Sequence, residues 1–595
     1  MTAGAFLGVE RSLSGRKWLA REVDDGDVSA IARILQAPEP LARVLAGRGV
    51  TPEAAPGFMT PKLRDHFPDP SGFQDMDRAA ALIWEAIEKG RGLAVFADYD
   101  VDGASSAAQI IRYLRRLGVA CDLYVPDRIA EGYGPNAPAF KALKARGAEL
   151  VITVDCGAAA QAPIEAAREI GLDVVVVDHH LMDGDFPPAS ALVNPNRPDD
   201  SSGCGHLAAA GVSFVLLAAL NREGRRRGAF ETRPEPDLLE LIDLAALGTI
   251  CDVVPLTGVN RAITAQGLKA MGGWRHAGLK ALAEVAGVSG PASAYHAGFL
   301  LGPRINAGGR VGQAELGARL LSTDDAEEAA EIAAALDGFN AERRTIEAQV
   351  LDAARADIVK GDETAPILVA AGPGWHPGVI GVAAGRLKEE FGRPVFVIGV
   401  DAAGLGKGSG RSVPGVNLGA AVTAAREQGL LEAGGGHAMA AGLSVREDRI
   451  EALTAFLQDH LAGEFATAGD AMAMKLDGVL TPAGASQDLI EMLEQAGPFG
   501  QGNSSPRFAF ADLRAAYAER VGGMHVRFAL EDRAGESVRG IAFRVADTPV
   551  GQALLAGGEQ RFHAAGRLKI DEWRGRKKVD FQLEDLAAAE KTAVC

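Results

Sequence analysis

Three aspartates stand at alternate positions in AVFADYDVDG (94–103): Asp98, Asp100 and Asp102, directly after the apolar run Leu93–Ala97. Carboxylates so close together repel one another and add nothing to stability. Divalent cations remove the difficulty, because hard oxygen ligands converge on Mg²⁺ or Mn²⁺. A solvated turn of Asp and Gly is the plain alternative. The rest of the chain favours the cation. LVITVDCG supplies Asp155, VVVVDHH supplies Asp178, His179 and His180, and LAALGTICDVVPL supplies Asp252. Carboxylates and imidazoles arriving together from several strand ends fit a two-cation centre for hydrolysis, in which the ions activate water and offset charge on both reacting oxygens.

These residues need a scaffold that collects strand ends. GLAVFAD reads as a buried strand and ASSAAQIIRYLRRLG as a helix closed by Gly118. CDLYVPDR, PNAPAFKALKARG, ELVITVDCG, APIEAAREIG and LDVVVVDHH continue the alternation of strand and helix. Such alternation predicts a parallel sheet with helices on both faces, and ligands then sit outside the carboxyl ends of the strands.

At 595 residues the chain is long enough for about four domains. Residues 1–74 read as a leader of short helices with proline-marked breaks, and residues 75–260 as the first α/β domain. Residues 261–360 read as a helical connector whose last helix, about 324–360, is a rigid spacer holding two α/β domains apart. The strand–helix alternation resumes over 361–465, and short β segments over 470–588 suggest a small barrel. An apolar content of 47% and a net charge of −17 describe an ordinary soluble protein that does not coat nucleic acid indiscriminately. No run is long and apolar enough for a membrane span, the first residues lack a signal-type apolar core, and five cysteines form no CxxC pair. A reducing cytoplasm is the expected compartment.

Four glycine-rich segments form a second set of candidates: LGPRINAGGRVG (301–312), GWHPGVIGVAAGRL (374–387), GKGSGRSVPG (406–415) and GGGHAMAAG (434–442). All are read as loops of the second α/β domain. Glycine lets backbone approach a phosphate, while Arg, Lys and His add charge and donors. Between Arg561 and Asp580 seven basic residues face three acids, with Trp573 among them, a composition suited to a single strand.

DYDVDG, VDCG, VDHH and CDVVPL, in this order, resemble the motifs of the DHH phosphoesterase superfamily. FLGVERSLSGRKW, EGYGPN and the downstream segments resemble its bacterial RecJ branch, the 5′→3′ single-strand-specific DNA exonucleases. The resemblance covers nearly the whole chain. It implies an α/β fold in which two α/β domains, DHH and DHHA1, are joined by a long helix and followed by an OB-type β-barrel. It implies Asp98, Asp100, Asp102, Asp155, His179 and Asp252 as ligands of two Mn²⁺ or Mg²⁺ ions, and Asp155 and His180 as catalytic residues. Asp178 is expected to orient a histidine. Arg304, Asn306, Arg310, Ser409, Arg411 and His437 would grip the substrate, with Lys407 and His376 as weaker candidates. Trp573, Arg574, Lys577 and Lys578 would bind DNA on the barrel. The implied role is DNA recombination and repair by a monomer with no membrane association. Its partners would be single-stranded DNA, single-strand-binding protein and a RecQ-type helicase. Phosphodiesterases for nanoRNA or cyclic dinucleotides share both catalytic halves but need neither leader nor barrel. A non-catalytic replication scaffold would have lost ligands, and here every ligand position is filled.

Overall fold

The computed structural model describes residues 4–589 apart from 129, 183, 574 and 575. The chain divides into two compact units. One comprises Thr60–Arg343 with Pro498–Ser504; the other comprises Met1–Met59, Arg344–Gly497 and Ser505–Cys595.

In the first unit a five-stranded sheet runs in the order Cys121–Tyr124, Leu93–Ala97, Leu150–Val154, Asp173–Val177, Ala191–Val193, with every pair parallel. Alternate residues of each strand enter two different cores. Leu93, Val95 and Ala97 pack with the helices Val101–Arg116 and Ala209–Arg226, while Ala94 and Phe96 pack with Ala137–Ala145 and Gln161–Glu169. Burial on both faces is why these strands read as continuous apolar runs. The chain builds outward to Cys121–Tyr124 and then returns to the other side of Leu93–Ala97. The order therefore reverses between Leu93–Ala97 and Leu150–Val154, which opens a crevice at their carboxyl ends. Asp98 and Asp155 are the next residues of those two strands.

Helices read from sequence as a separate connector share this core: Leu279, Leu282, Leu320 and Leu336 are fully buried with the residues of the sheet's helical face. The segment LGPRINAGGRVG is not a loop of the second α/β domain, as its glycines suggested. Gly302–Val311 is an α-helix of the first unit, and a Cβ at Gly309 would come within 3.0 Å of the Tyr99 side chain. Its glycines serve close helix packing. The long helix runs Ala326–Lys360, and the two units divide it after Arg343.

The second unit holds a five-stranded mixed sheet in the order Ala433–His437, Ala440–Arg446, Leu405–Arg411, Val395–Val400, Leu368–Pro373, in which only the last pair is parallel. GKGSGR and GGGH were expected as loops and lie in strands. A Cβ at Gly406, Gly408 or Gly410 would come within 2.8 Å of Ile398, Leu443 or Phe396, so the period-two glycines let the sheet pack tightly. The barrel closes in the order Phe508–Val521, His525–Glu531, Ser537–Ala542, Arg576–Ala588, Arg561–Trp573, with the last strand pairing back to the first. The leader, read as helices, also contributes a strand: Trp18–Ala20 pairs with Met474–Leu476, and Trp18 Nε1 donates to Asp585 at 2.8 Å. No described helix is long and apolar enough to cross a membrane.

Candidate functional site

The crevice collects the acids by three different local devices. Asp98 and Asp155 extend strands whose ladders continue one residue further: Asp98 N–H donates to Val154 O at 3.3 Å and Asp155 N–H to Val177 O at 3.0 Å. Asp155 then turns at φ 59°, bending the chain away while its carboxylate stays buried. Asp100 caps helix Val101–Arg116, accepting from Asp102 N–H at 2.8 Å and Gly103 N–H at 3.0 Å through one oxygen. Gly103 is needed here because a Cβ would lie 2.4 Å from Asp98 O. Asp102, on the first turn, accepts from Ala209 N–H at 2.7 Å and Ala210 N–H at 2.8 Å, at the positive end of a second helix. Asp252 comes from neither strand nor helix start: it is the C-cap of helix Ile242–Cys251.

Ligand atoms fall into three groups, each within 4.8 Å: Asp98, Asp100 and Asp155; Asp155, His179 and His180; Asp102, His179 and Asp252. His179 Nε2 lies 3.3 Å from Asp155, 3.6 Å from Asp252 and 3.8 Å from Asp102. The electrostatics show what this arrangement requires. Burial, then repulsion from Asp100, pushes the carboxyls of Asp98 and Asp252 up to about 7. Burial and the surrounding aspartates carry Asp102 and Asp155 well above the usual carboxylate range. Buried Asp98 Oδ1 has no hydrogen-bond partner. An orphaned buried carboxylate oxygen amid mutually repelling acids fits divalent cations.

Asp178 is committed elsewhere. Its Oδ1 accepts from His179 N–H at 2.7 Å and His180 N–H at 3.2 Å and meets His180 Nδ1 at 2.7 Å, and its Oδ2 accepts from Ala158 N–H at 2.9 Å. Burial would raise the Asp178 carboxyl, but the hydrogen bond and charge of His180 hold it below the usual range. Burial likewise lowers His180, and Asp178 more than compensates, leaving it raised. Burial and then His180 lower His179, which favours the neutral imidazole that a cation needs.

Sequence reading missed several participants. Tyr133 Oη donates to Asp155 O at 3.3 Å and lies 3.2 Å from His180 Nε2. Asn194 and Asn196 donate to the carbonyls of His180 at 2.9 Å and His179 at 2.5 Å, fixing the backbone of the pair. Their signal, VNPN after the edge strand Ala191–Val193, was available but carries no charge. Arg128 lies over Tyr99 at 5.1 Å. Burial, then Arg128 and Arg343, lowers Arg310 to about 10, so these guanidiniums form a cationic cluster in this unit.

Other expected substrate residues are dispersed. Asn306 is at the crevice, where its Oδ1 accepts from Val101 N–H at 3.2 Å. Arg304 is tied to Asp337 at 2.9 Å and to Leu300 O at 2.7 Å, the partners of a packed structural arginine. Within the second unit, strand periodicity puts Lys407, Ser409 and Arg411 on one face, and register aligns His437 with Arg411 through Ala440. A Cβ at Gly381 would lie 2.9 Å from Ser409 Oγ and 3.0 Å from Arg411, so helix Pro377–Phe391 packs against these two half-buried side chains while Lys407 stays exposed. His376 caps this helix, accepting from Gly378 N–H at 3.1 Å.

On the barrel, Arg574 and the Trp573 side chain lie outside the described residues. Lys577 pairs with Glu491 at 2.9 Å, and Lys578 stands opposite Asp571. The cations expected to bind DNA are thus interleaved with acids. A groove of about 690 Å³ lies on the outer face of the barrel, lined among others by Tyr517, Phe543, Arg527 and Arg539. Both aromatics are about half exposed. Pro498–Ser504, which falls within the 470–588 span read as the barrel, instead joins the first unit, where Gln501 O accepts from Leu256 N–H at 2.8 Å.

Comparison with known proteins agrees with this layout. Family models match residues 93–249 (DHH family, N-terminal domain), 364–463 (DHHA1 domain) and 476–585 (RecJ OB domain). A single-stranded-DNA-specific exonuclease RecJ from Bacillus subtilis is 33% identical over 583 residues, covering 97% of this chain and 71% of the relative. RecJ of Escherichia coli is 36% identical over 532 residues, covering 86% of this chain and 90% of the relative. The crystal structure of RecJ from Thermus thermophilus in complex with Mn²⁺ is similar at a TM-score of 0.79 with 31% identity, covering 96% of this chain and 78% of that one. A second structure from the same source, in complex with Mg²⁺, gives 0.73.

Proposed function

The chain belongs to the RecJ family of single-stranded-DNA-specific exonucleases, and we propose that it degrades single strands from the 5′ end at a centre built from Asp98, Asp100, Asp102, Asp155, His179 and Asp252. It is a metal-dependent exodeoxyribonuclease that uses Mn²⁺ or Mg²⁺. The observation that carries the site assignment is the convergence of three ligand groups on one crevice, with Asp155 shared by two of them. When bound, two such ions supply a water acidic enough to attack at neutral pH and offset charge on the entering and leaving oxygens.

The side chains divide the remaining work. Asp155 bridges the two groups and sets their spacing. Asp178 holds His180 by its Nδ1 edge, so that the ring faces the scissile phosphate as a donor. Asn194 and Asn196 keep both histidines at fixed depth. Arg128 and Arg310 neutralise further phosphates near the crevice. Ser409, Arg411 and His437 read the 5′ phosphate, which carries more charge than an internal diester. The barrel groove stacks bases on Tyr517 and Phe543, a sequence-tolerant mode of single-strand binding. In this reading Arg304 positions its helix and does not touch substrate. The domain assignment follows the same division: DHH over 75–260 with the helices to about 343, DHHA1 over 361–465, and the OB barrel over 470–588. The enzyme works in cytoplasmic recombination and repair, receiving its strand from a RecQ-type helicase and single-strand-binding protein.

Strands labelled at the 5′ or 3′ end, single or in blunt duplex, test the reading. Early release of the 5′ label as short products, from single strands only and only with Mn²⁺ or Mg²⁺, is expected. Release of the 3′ label first would overturn the polarity.

A further inference from the structure

Helix Ile242–Cys251 ends at Asp252, and the next residue, Val253, has φ 60°. This is the left-handed position after a helix C-cap where glycine is the ordinary choice, because a Cβ there crowds the following carbonyl. A β-branched side chain suits it least. The turn is nevertheless fixed on both sides. Val253 N–H donates to Ile250 O at 3.2 Å, Leu256 N–H to Gln501 O at 2.8 Å, and the Asn260 amide to Pro255 O at 3.0 Å. Such strain persists only where the surroundings impose it, and it concentrates at functional sites.

Packing does not account for the valine, since Val253 is 65% exposed. It adjoins Asp252, whose carboxylate lies 3.6 Å from His179 Nε2. Two further exposed side chains belong to residues next to the cluster in sequence or in contact with it. Leu181, directly after His180, is 70% exposed, and Tyr133, whose hydroxyl meets His180, is 57% exposed. A centre handling only phosphate or pyrophosphate gains nothing from exposed hydrocarbon on the residue next to one of its acids. A ligand that brings an anion and a flat apolar ring together, a nucleotide, uses both.

Resting on the reading of the site as a single-strand exonuclease, we propose that Val253 is a specificity-determining contact for the nucleobase of the nucleotide being removed. Its side chain is kept where glycine would sit more comfortably because it covers one face of that base. The contact selects nucleotides over bare phosphate chains and helps hold the terminal linkage over the acids. Val253 takes no part in proton transfer.

Two substitutions and two substrates test this. Val253→Gly relieves the strain, so the thermal midpoint does not fall, yet kcat/KM on a 5′-phosphorylated single strand drops by about tenfold, the scale of a lost apolar contact in a specificity pocket. On a strand whose first three 5′ nucleotides are abasic, wild type and Val253→Gly are equally slow, since the base that Val253 covers is gone. Val253→Ile, which keeps the apolar branch, restores cleavage of the ordinary strand. Equal rates for wild type and Val253→Gly on the ordinary strand would overturn the inference, and so would the same tenfold loss on both strands. Wild-type turnover is the internal standard: its absence would overturn the exonuclease reading, whereas normal turnover beside an unaffected Val253→Gly overturns this inference alone.

Discussion

Removing the cations exposes the electrostatic cost of the centre, and that cost has a sign. Burial and neighbouring charge hold Asp98 and Asp252 near 7 in the metal-free fold, against an ordinary 3.8. A shift of about three units corresponds to about 4 kcal/mol for one such group. The groups titrate together, so the values do not add, and about 4 kcal/mol serves as the scale for the pair. A carboxyl raised in the fold binds its proton more tightly folded than unfolded. Chelated protein is therefore expected to lose stability from about pH 4 upward, with the loss complete once the pH has risen through about 7. Saturating Mn²⁺ should raise the thermal midpoint at pH 8 and flatten this slope. Asp98→Asn supplies the internal control. In chelator at pH 8 it should be more stable than wild type, because an uncompensated charge is gone, and in Mn²⁺ it should gain less than wild type does. Thermal unfolding of both proteins at pH 5 and pH 8, with chelator and with Mn²⁺, reads all of this. If Asp98→Asn in chelator at pH 8 is less stable than wild type, the carboxylate is already compensated within the protein and the electrostatic argument for cations fails.

Asp178→Asn should lower kcat by about 10–100-fold with Mn²⁺ stoichiometry unchanged, since it frees His180 without removing a ligand; single-turnover rates at saturating Mn²⁺ check this. Tyr517→Ala with Phe543→Ala should weaken binding to long single strands by about 1–3 kcal/mol per lost stack and spare cleavage of very short oligonucleotides, as anisotropy and product analysis would show. Arg411→Ala should shrink the preference for a 5′-phosphate over a 5′-hydroxyl strand by about tenfold or more. Arg304→Ala should instead lower the thermal midpoint and leave that preference intact, because Arg304 is bound to Asp337 and Leu300 O.

The residues that converge in the crevice were legible because parallel strands advertise their ends. A buried run such as LVITV or VVVV stops where the chemistry begins, and the order reversal brings Asp98 and Asp155 side by side. Asp178, expected from the family resemblance to orient a histidine, does meet the backbone of both histidines and the His180 ring. The glycine-rich segments were less legible, since glycine that admits a phosphate and glycine that admits a neighbouring strand look alike in sequence. Gly406, Gly408 and Gly410 alternate at period two, which is the one strand signal in that segment. Gly302–Val311 shows the same ambiguity for helices, where Gly309 makes room for Tyr99. On the barrel, composition pointed to the lysines of one hairpin. The exposed aromatics Tyr517 and Phe543 are gathered by the register of three successive strands, Phe508–Val521, His525–Glu531 and Ser537–Ala542, which no local window reveals. Val253 was hidden for a different reason: its significance lies in a backbone angle.

Mn²⁺ stoichiometry, read from the electron paramagnetic resonance of the free ion during titration, decides whether the crevice holds two cations. Two ions per wild-type chain and a loss of at least one on Asp155→Ala are expected, because Asp155 is shared between two of the ligand groups. A wild-type value of one, or two ions undiminished in Asp155→Ala, would contradict a two-cation centre bridged by that carboxylate.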